Sequence, residues 1–474
     1  MERGRTSMTQ YGQVTPAIVA ELSAIAGEKY VIIDKEKMED YSHDAVTGEK
    51  YVGYPDVLVL PGSAAEIAAI VKLANRERLP IIPRGAGTGY ACAAVAFGGG
   101  IMVSTERLDR ILEIDEANLL MVLEPGVRTS EVQKAAHEKG YLYAGEPSSG
   151  DSSFIGGNVA TNAGGIKAVK YGTTRQQVLG IELVTAEGDI VTLGGKVRKD
   201  ATGYSLAQLV IGSEGTLGII TKIYIKIIPR PQKVMDLLAV FPNVEASIAI
   251  VAKILQAGIL PVSVEFMDNK GIRCCESYLN EKLPHSDTGN YIIVSIEGDS
   301  EEALEDQCVE IDELCSANGA SFVLVADPVK IWKARKSFGE ANRARSLIFS
   351  AEDIVVPVAA IAGMVKKLTE LGERYQLTIH CVAHAADGNV HADILKEDVP
   401  MEEWEQKLPL LQAEIYEFVY SIGGKLSGEH GIGYKRLELM EKFTNPVELK
   451  MMRAIKKALD PNNIMNPGKI FRVN

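Results

Sequence analysis

Four of the chain's seven histidines fall between positions 380 and 430, in the runs His380-Cys-Val-Ala-His384, Asp387-Gly-Asn-Val-His391 and Ser427-Gly-Glu-His430. An even spread would put fewer than one there. Two histidines around an Asp-Gly-Asn turn, with a Glu-His pair further on, make a candidate site for a divalent ion, and imidazole plus carboxylate suits Zn²⁺, Fe²⁺ or Mn²⁺. The alternative is that each histidine is an ordinary packed or surface residue. An ion on a hydroxyl oxygen lowers its pKa, so that a neighbouring imidazole can take the proton near neutral pH while the hydride on the same carbon leaves. A substrate carboxylate would also need a fixed cation, best an arginine fork. Arg335, in Trp332-Lys-Ala-Arg335-Lys, is the candidate, with a surface helix arginine as the alternative.

Two glycine-rich loops offer a second kind of chemistry. Arg84-Gly85-Ala86-Gly87-Thr88-Gly89 follows a short apolar run, and Gly156-Gly157-Asn158 with Thr161-Asn162-Ala163-Gly164-Gly165 follows Pro147-Ser148-Ser149. Glycine lets backbone N–H groups converge on a phosphate, and two such loops could hold a dinucleotide. Neither loop has the spacing or acidic residue of a nicotinamide fingerprint, and neither is a G-x-x-x-x-G-K-[ST] loop. The expected ligand is therefore something other than NAD or ATP.

The elements around these loops alternate. Residues 55–60 read as a buried strand, 63–75 as a helix capped by Ser63 with Glu66 at the capping-box position, and 79–83 as a strand. Strands at 101–103 and 121–123, a helix at 130–139, and a hairpin of 178–185 with 189–192 around Glu187-Gly188 continue the pattern. Residues 217–228 alternate like a half-buried strand until Pro229-Arg-Pro231 stops it, and a domain boundary is expected there. Strands at 235–241, 262–266 and 291–297 and helices at 244–257 and 301–318 follow. The last sixty residues hold a glycine loop, a helix at 445–459 and an Asn466-Pro-Gly-Lys469 turn. The fold class is α+β, divided as 1–230, 231–415 and 416–474.

At 474 residues the chain is long enough for two or three cores. Its net charge of -13 argues against nucleic acid and anionic lipid as partners. No run of 18 apolar residues occurs and Met1 to Gln13 lacks a secretory signal, so a cytoplasmic location is expected. Its six cysteines include no C-x-x-C, which speaks against an iron-sulfur cluster carried by this chain. Oligomeric state is left open.

Together these residues resemble the FAD-linked oxidase family of the vanillyl-alcohol oxidase (PCMH-type) fold, in the branch of D-lactate dehydrogenases and glycolate oxidase flavoprotein subunits. The resemblance spans nearly the whole chain. It rests on Pro83-Arg-Gly-Ala-Gly-Thr88, Pro147-Ser-Ser149, Ile155-Gly-Gly-Asn-Val-Ala-Thr-Asn-Ala-Gly-Gly165, Lys170-Tyr-Gly172, Gly212-Ser-Glu-Gly-Thr-Leu-Gly-Ile219, His384 to His391, Gly428-Glu-His-Gly431 and Asn466-Pro-Gly-Lys469. The likeness implies a two-subdomain FAD-binding domain, an antiparallel-sheet substrate domain, and a C-terminal segment that returns to the first.

It further implies that the FAD pyrophosphate lies near Gly85 to Gly89, the ring near Ser148, Ser149, Asn162 and Asn466, and the adenosine end near Glu214 and Ile219. Arg84, Ala86, Gly87, Thr88, Pro147, Gly156, Gly157, Asn158, Thr161, Gly164 and Gly215 complete the cofactor set. By the same likeness His384, His391 and Glu429 bind the metal, His430 accepts the proton and Arg335 grips the carboxylate of a small 2-hydroxy acid. Electrons would pass to a partner such as an electron-transferring flavoprotein or an iron-sulfur subunit. A non-catalytic flavin subunit and a D-2-hydroxyglutarate-type dehydrogenase are the alternatives. The chain departs from the family pattern at Ala383 and Ala386, usually Gly, and at 90–94, where relatives carry a glycine pair. At Asp393 some relatives that take diacids carry Asn, and an aspartate would repel a second substrate carboxylate. With only Cys92 near the loops, the flavin is expected to be non-covalent.

Overall fold

The computed structural model describes residues 11–287, 289–325 and 327–473. Residues 1–10, which carry most of the stretch judged to lack a secretory signal, lie outside the described residues. Two compact units emerge, one holding the chain up to Ala163, Thr173–Pro229 and the chain from His430 on, the other Gly164–Gly172 and Arg230–Glu429. Among the described residues no helix is long and apolar enough to cross a membrane.

In the first unit, Val57–Val59 and Ile81–Arg84 both pair in parallel with Ile101–Ser104, and Val31–Ile32 adds an antiparallel edge. The helix Ala64–Glu77 supplies the parallel crossover. Ser63 Oγ accepts from the Glu66 N–H while the Glu66 carboxylate accepts from Gly62 N at 2.8 Å, so the expected cap forms. Ile67, Ile70, Val71 and Ala74 bury the helix's apolar stripe against Val57, Val59, Ile81 and Ile101. Ile464 and Met465 join this core, and Ile81 exchanges backbone bonds of 2.7 Å with Ile464 and Asn466.

A second sheet of this unit is antiparallel, in the order Ile111–Asp115, Leu120–Leu123, Ile219–Lys226, Val178–Val184, Ile190–Gly194. The turn between its last two strands needs Gly188 at φ +81°, a left-handed conformation that glycine adopts freely.

The second unit is built on a seven-stranded antiparallel sheet. Its order is Phe322–Val325, Lys233–Phe241, Asn290–Gly298, Ser263–Met267, Thr378–His384, Asn389–Leu395, Phe349–Val355. Directly paired residues share a face and alternate residues along a strand do too. The register pairs Glu265 with His384, His384 with Asn389, and Val382 with His391, which in turn opposes Asp353. Glu265, His380, His384, Asn389, His391, Asp393 and Asp353 therefore all lie on one face.

Helices Asn269–Leu279, Pro328–Lys336 and Phe338–Arg345 cover the apolar part of that face through Ile272, Ile331, Ala334 and Phe338, packed with Met267, Ile293 and Val382. On the opposite face Glu352 accepts from Tyr416 Oη at 2.6 Å and Gln412 Nε2 at 2.8 Å, which docks the helix Met401–Ser421. Gly164–Gly172 joins this unit because the buried Glu297 carboxylate takes Lys170 Nζ at 3.0 Å and the Tyr171 hydroxyl.

Candidate active site

The sheet face brings the expected metal ligands together. His391 Nε2 lies 3.1 Å from Glu429 Oε1, and His384 Nε2 lies 3.7 Å from the same oxygen. The two imidazoles meet edge to face with centroids 5.3 Å apart. Asp353, which the sequence did not single out, belongs to the cluster, since one donor atom each of Asp353, His391 and Glu429 lies within 4.8 Å of the others. Its buried carboxylate also builds the loop that carries Glu429, accepting from the Glu429 N–H at 2.9 Å, the Ser427 hydroxyl and Asn389 Nδ2 at 2.8 Å. Gly164, expected beside the cofactor, faces this carboxylate cluster: a Cβ there would fall 2.5 Å from Glu429 Oε2.

The donor set fits a divalent ion. His384 Nε2 is buried and makes no hydrogen bond, while His384 Nδ1 is 2.6 Å from Glu265 Oε1. A carboxylate holding one ring nitrogen leaves the other as a ligand, the arrangement typical of metal-bound histidine. Electrostatics agree. Burial works against charge on His384, yet Glu265 and Glu429 hold its pKa well above the ordinary imidazole value. Burial would raise Glu429, but His384 and His391 hold it well below the carboxylate range. The bare cluster thus keeps a proton where an ion would supply the charge.

Glu265 was likewise missed. It is fully buried, and its second oxygen accepts from Arg335 Nε at 2.8 Å, while Nη2 lies 2.7 Å away as an ion pair without a hydrogen bond. Burial would raise its pKa, but His384 and Arg335 bring it below the ordinary value. Arg335 is thus a buried arginine on this face, not a surface one. Further along, His380 Nδ1 meets Asn342 Oδ1 at 2.7 Å, and Asn342 Nδ2 donates to Asp393 at 2.8 Å. Burial lowers the His380 pKa to about 4, so that ring is neutral. Ala383, one of the departures from the family pattern, pairs with Phe266 and Val390, so it lies on the face opposite the cluster.

In the first unit, the two glycine loops converge: a Cβ on Gly85 would lie 3.7 Å from Gly157 Cα. No described residue accepts a hydrogen bond from the backbone N–H of Gly85, Ala86, Gly87, Thr88, Gly89 or Gly157. Such a run of free donors between two loops fits a pyrophosphate. Asn466 adds a buried Oδ1 without a partner, its Nδ2 being fixed by the carbonyls of Ala93 and Glu214 at 2.9 and 2.7 Å. This fits an acceptor waiting for a ring N–H. Ser148 and Ser149 lie at the accessible mouth of the loop 147–150.

Other expected cofactor residues are engaged within the fold. The Arg84 guanidinium is buried and donates to the carbonyls of Asp40, Tyr41, His43 and Ala94, so Arg84 can serve a cofactor only through its backbone. Asn158 Nδ2 bonds Thr129, Thr161 Oγ1 bonds the Gly157 carbonyl, and Asn162 Oδ1 accepts from Thr173 and Arg175. Ile219 is a core residue. Gly215, at φ +72°, packs against Pro83. Both oxygens of Glu214 clasp the turn after His430, accepting from Ile432 N at 2.8 Å and Gly433 N at 2.7 Å. The His430 ring itself stacks on Tyr90, centroids 5.0 Å apart, so Tyr90 in the departing run 90–94 orients the imidazole. Cys92 is buried with its thiol beside Asp44, and burial first, then that carboxylate, pushes its pKa far up, leaving a poor nucleophile.

The fold has solved counterparts. The chain superposes on p-cresol methylhydroxylase with a TM-score of 0.81, covering 96% of each chain at 18% identity, and on alkyldihydroxyacetonephosphate synthase with 0.77, covering 96% of this chain and 85% of that one at 19% identity. These define a PCMH-type FAD-binding fold. Residues 55–194 match the FAD binding domain model and 230–470 the C-terminal domain model of FAD linked oxidases. A D-lactate dehydrogenase of Anaerostipes hadrus is 36% identical over 97% of this chain and 98% of its own length. The glycolate oxidase subunit GlcD of Bacillus subtilis is 37% identical over 91% and 92%. The chain belongs to the FAD-linked oxidases, and its cofactor is FAD.

Proposed function

We propose that this chain oxidises a small 2-hydroxy acid to the 2-oxo acid, with D-lactate the first candidate and glycolate the second. The observation that carries this reading is the convergence of the sheet residues His384, His391 and Asp353 with the loop residue Glu429, beside Glu265 and its ion-pair partner Arg335. Bound FAD would supply the acceptor for the hydride that leaves the hydroxyl-bearing carbon, and a Zn²⁺, Fe²⁺ or Mn²⁺ ion the charge that lowers the hydroxyl pKa. His384, His391 and Glu429 would hold that ion. His430, the next residue after Glu429, takes the hydroxyl proton. Arg335 binds the substrate carboxylate, since a guanidinium keeps its charge when buried. A diacid such as 2-hydroxyglutarate ranks lower because the Asp393 carboxylate shares the face of His391.

Anaerobic mixing with D-lactate, L-lactate, glycolate and 2-hydroxyglutarate, following flavin bleaching, tests the assignment. D-lactate should bleach fastest. His430→Asn should retain FAD but slow bleaching by roughly 100-fold or more, the usual worth of a general base. Bleaching at the full rate in that variant would remove the mechanism. We further propose that the electrons leave to a separate protein, an electron-transferring flavoprotein or an iron-sulfur subunit, and the bleached protein should be reoxidised faster by such a partner than by dioxygen.

A further inference from the structure

We propose that Glu265 is a positioning residue that couples the ion to the substrate carboxylate, fixing the ring of His384 with one oxygen and the fork of Arg335 with the other. This rests on the reading given under Proposed function. Its ground is the geometry of three buried side chains. Glu265 is fully buried in the strand Ser263–Met267, directly opposite His384 across the sheet. Its oxygens divide their partners: Oε1 holds His384 Nδ1 at 2.6 Å, and Oε2 accepts from Arg335 Nε at 2.8 Å with Nη2 in ion-pair range at 2.7 Å.

A carboxylate only accepts, so Nδ1 must carry hydrogen. With an ion bound the ring would be neutral, its lone pair on Nε2, the atom that makes no hydrogen bond and lies nearest Glu429. On the other side Glu265 takes the Nε edge of the guanidinium, which leaves Nη1 and the far edge of the fork for a second anion. Burying a carboxylate costs stability unless it is paired, and a purely structural ion pair would satisfy that with Arg335 alone. The added bond to His384 is what a structural pair does not need.

The test uses the FAD-loaded protein stripped of metal, titrated with Zn²⁺ and separately with Mn²⁺ against a chromophoric chelator. Glu265→Gln should weaken ion affinity by about 10- to 100-fold, the usual effect of losing a partner behind a ligating histidine. With the ion saturating, KM for the hydroxy acid should rise more than kcat falls. Glu265→Asp keeps the charge but is too short to reach both partners, and it should give an intermediate loss; it also serves if the Gln variant does not fold. Unchanged affinity and KM in both variants, beside a wild type that binds the ion and a His384→Ala variant that does not, would overturn this inference and leave the functional reading standing. A wild type that binds neither ion would overturn both.

Discussion

At the scale of single residues, the site is set by close approach as much as by ligand type. Gly164 touches the Glu429 carboxylate so closely that any side chain must displace it. Gly164→Ala should therefore lower Zn²⁺ affinity on the order of tenfold while leaving FAD content unchanged, measured by chelator competition and by the visible spectrum. His384 and His391 stood out in the sequence because they bracket the Asp387-Gly-Asn389 turn, with Glu429-His430 further on. Glu265 and Asp353 did not, because their importance comes from register with strands far along the chain, Glu265 with His384 and Asp353 with His391. The internal role of the Arg84 guanidinium was hidden as well, because its carbonyl partners at 40, 41, 43 and 94 are visible only once the chain folds.

At the scale of elements, local signals were dependable wherever they were self-contained. The Ser63 cap and Glu66 lie three residues apart, and the helix began where they pointed. Ser63→Ala should cost about 1 kcal/mol in urea unfolding. The helix Asn269–Leu279 is capped by Asp268, whose carboxylate accepts from Gly271 N at 2.7 Å and Cys381 N at 2.9 Å. Burial outweighs these bonds and raises its pKa to about 7. The folded state then binds this proton more tightly than the unfolded chain does, so the associated stability is present below about pH 4 and fades as pH rises through about 7. The melting temperature of wild type minus that of Asp268→Asn should be larger at pH 5 than at pH 8; a difference that grows with pH would contradict this.

At the scale of the whole molecule, FAD binding is linked to folding. FAD added to the stripped protein at a hundred times its Kd should stabilise it by about 2.7 kcal/mol, read as a shift in thermal unfolding. On the proposed metal-assisted reading, a chelator should leave the flavin spectrum in place but abolish hydroxy-acid bleaching, since the residues proposed for the ion and for FAD are different sets. The strand expected to run to residue 228 ends at Lys226, and Pro229 itself pairs with Tyr141 in a short second ladder. That Gly164–Gly172 groups with the second unit was not legible, because it depends on Glu297, over a hundred residues downstream.

Because His384, His391 and Glu265 all stand on one face of a pleated sheet, the proposed site has a parity. Inserting or deleting a single residue within Thr378–His384 or Asn389–Leu395 would turn that strand's donors toward the helix Met401–Ser421 and bring its apolar residues into the chemistry. Changes by two residues would preserve the side on which each group stands. Length variation tolerated in these two strands should therefore be even-numbered, and a library of insertions selected for turnover would reveal that rule without any single position being mutated.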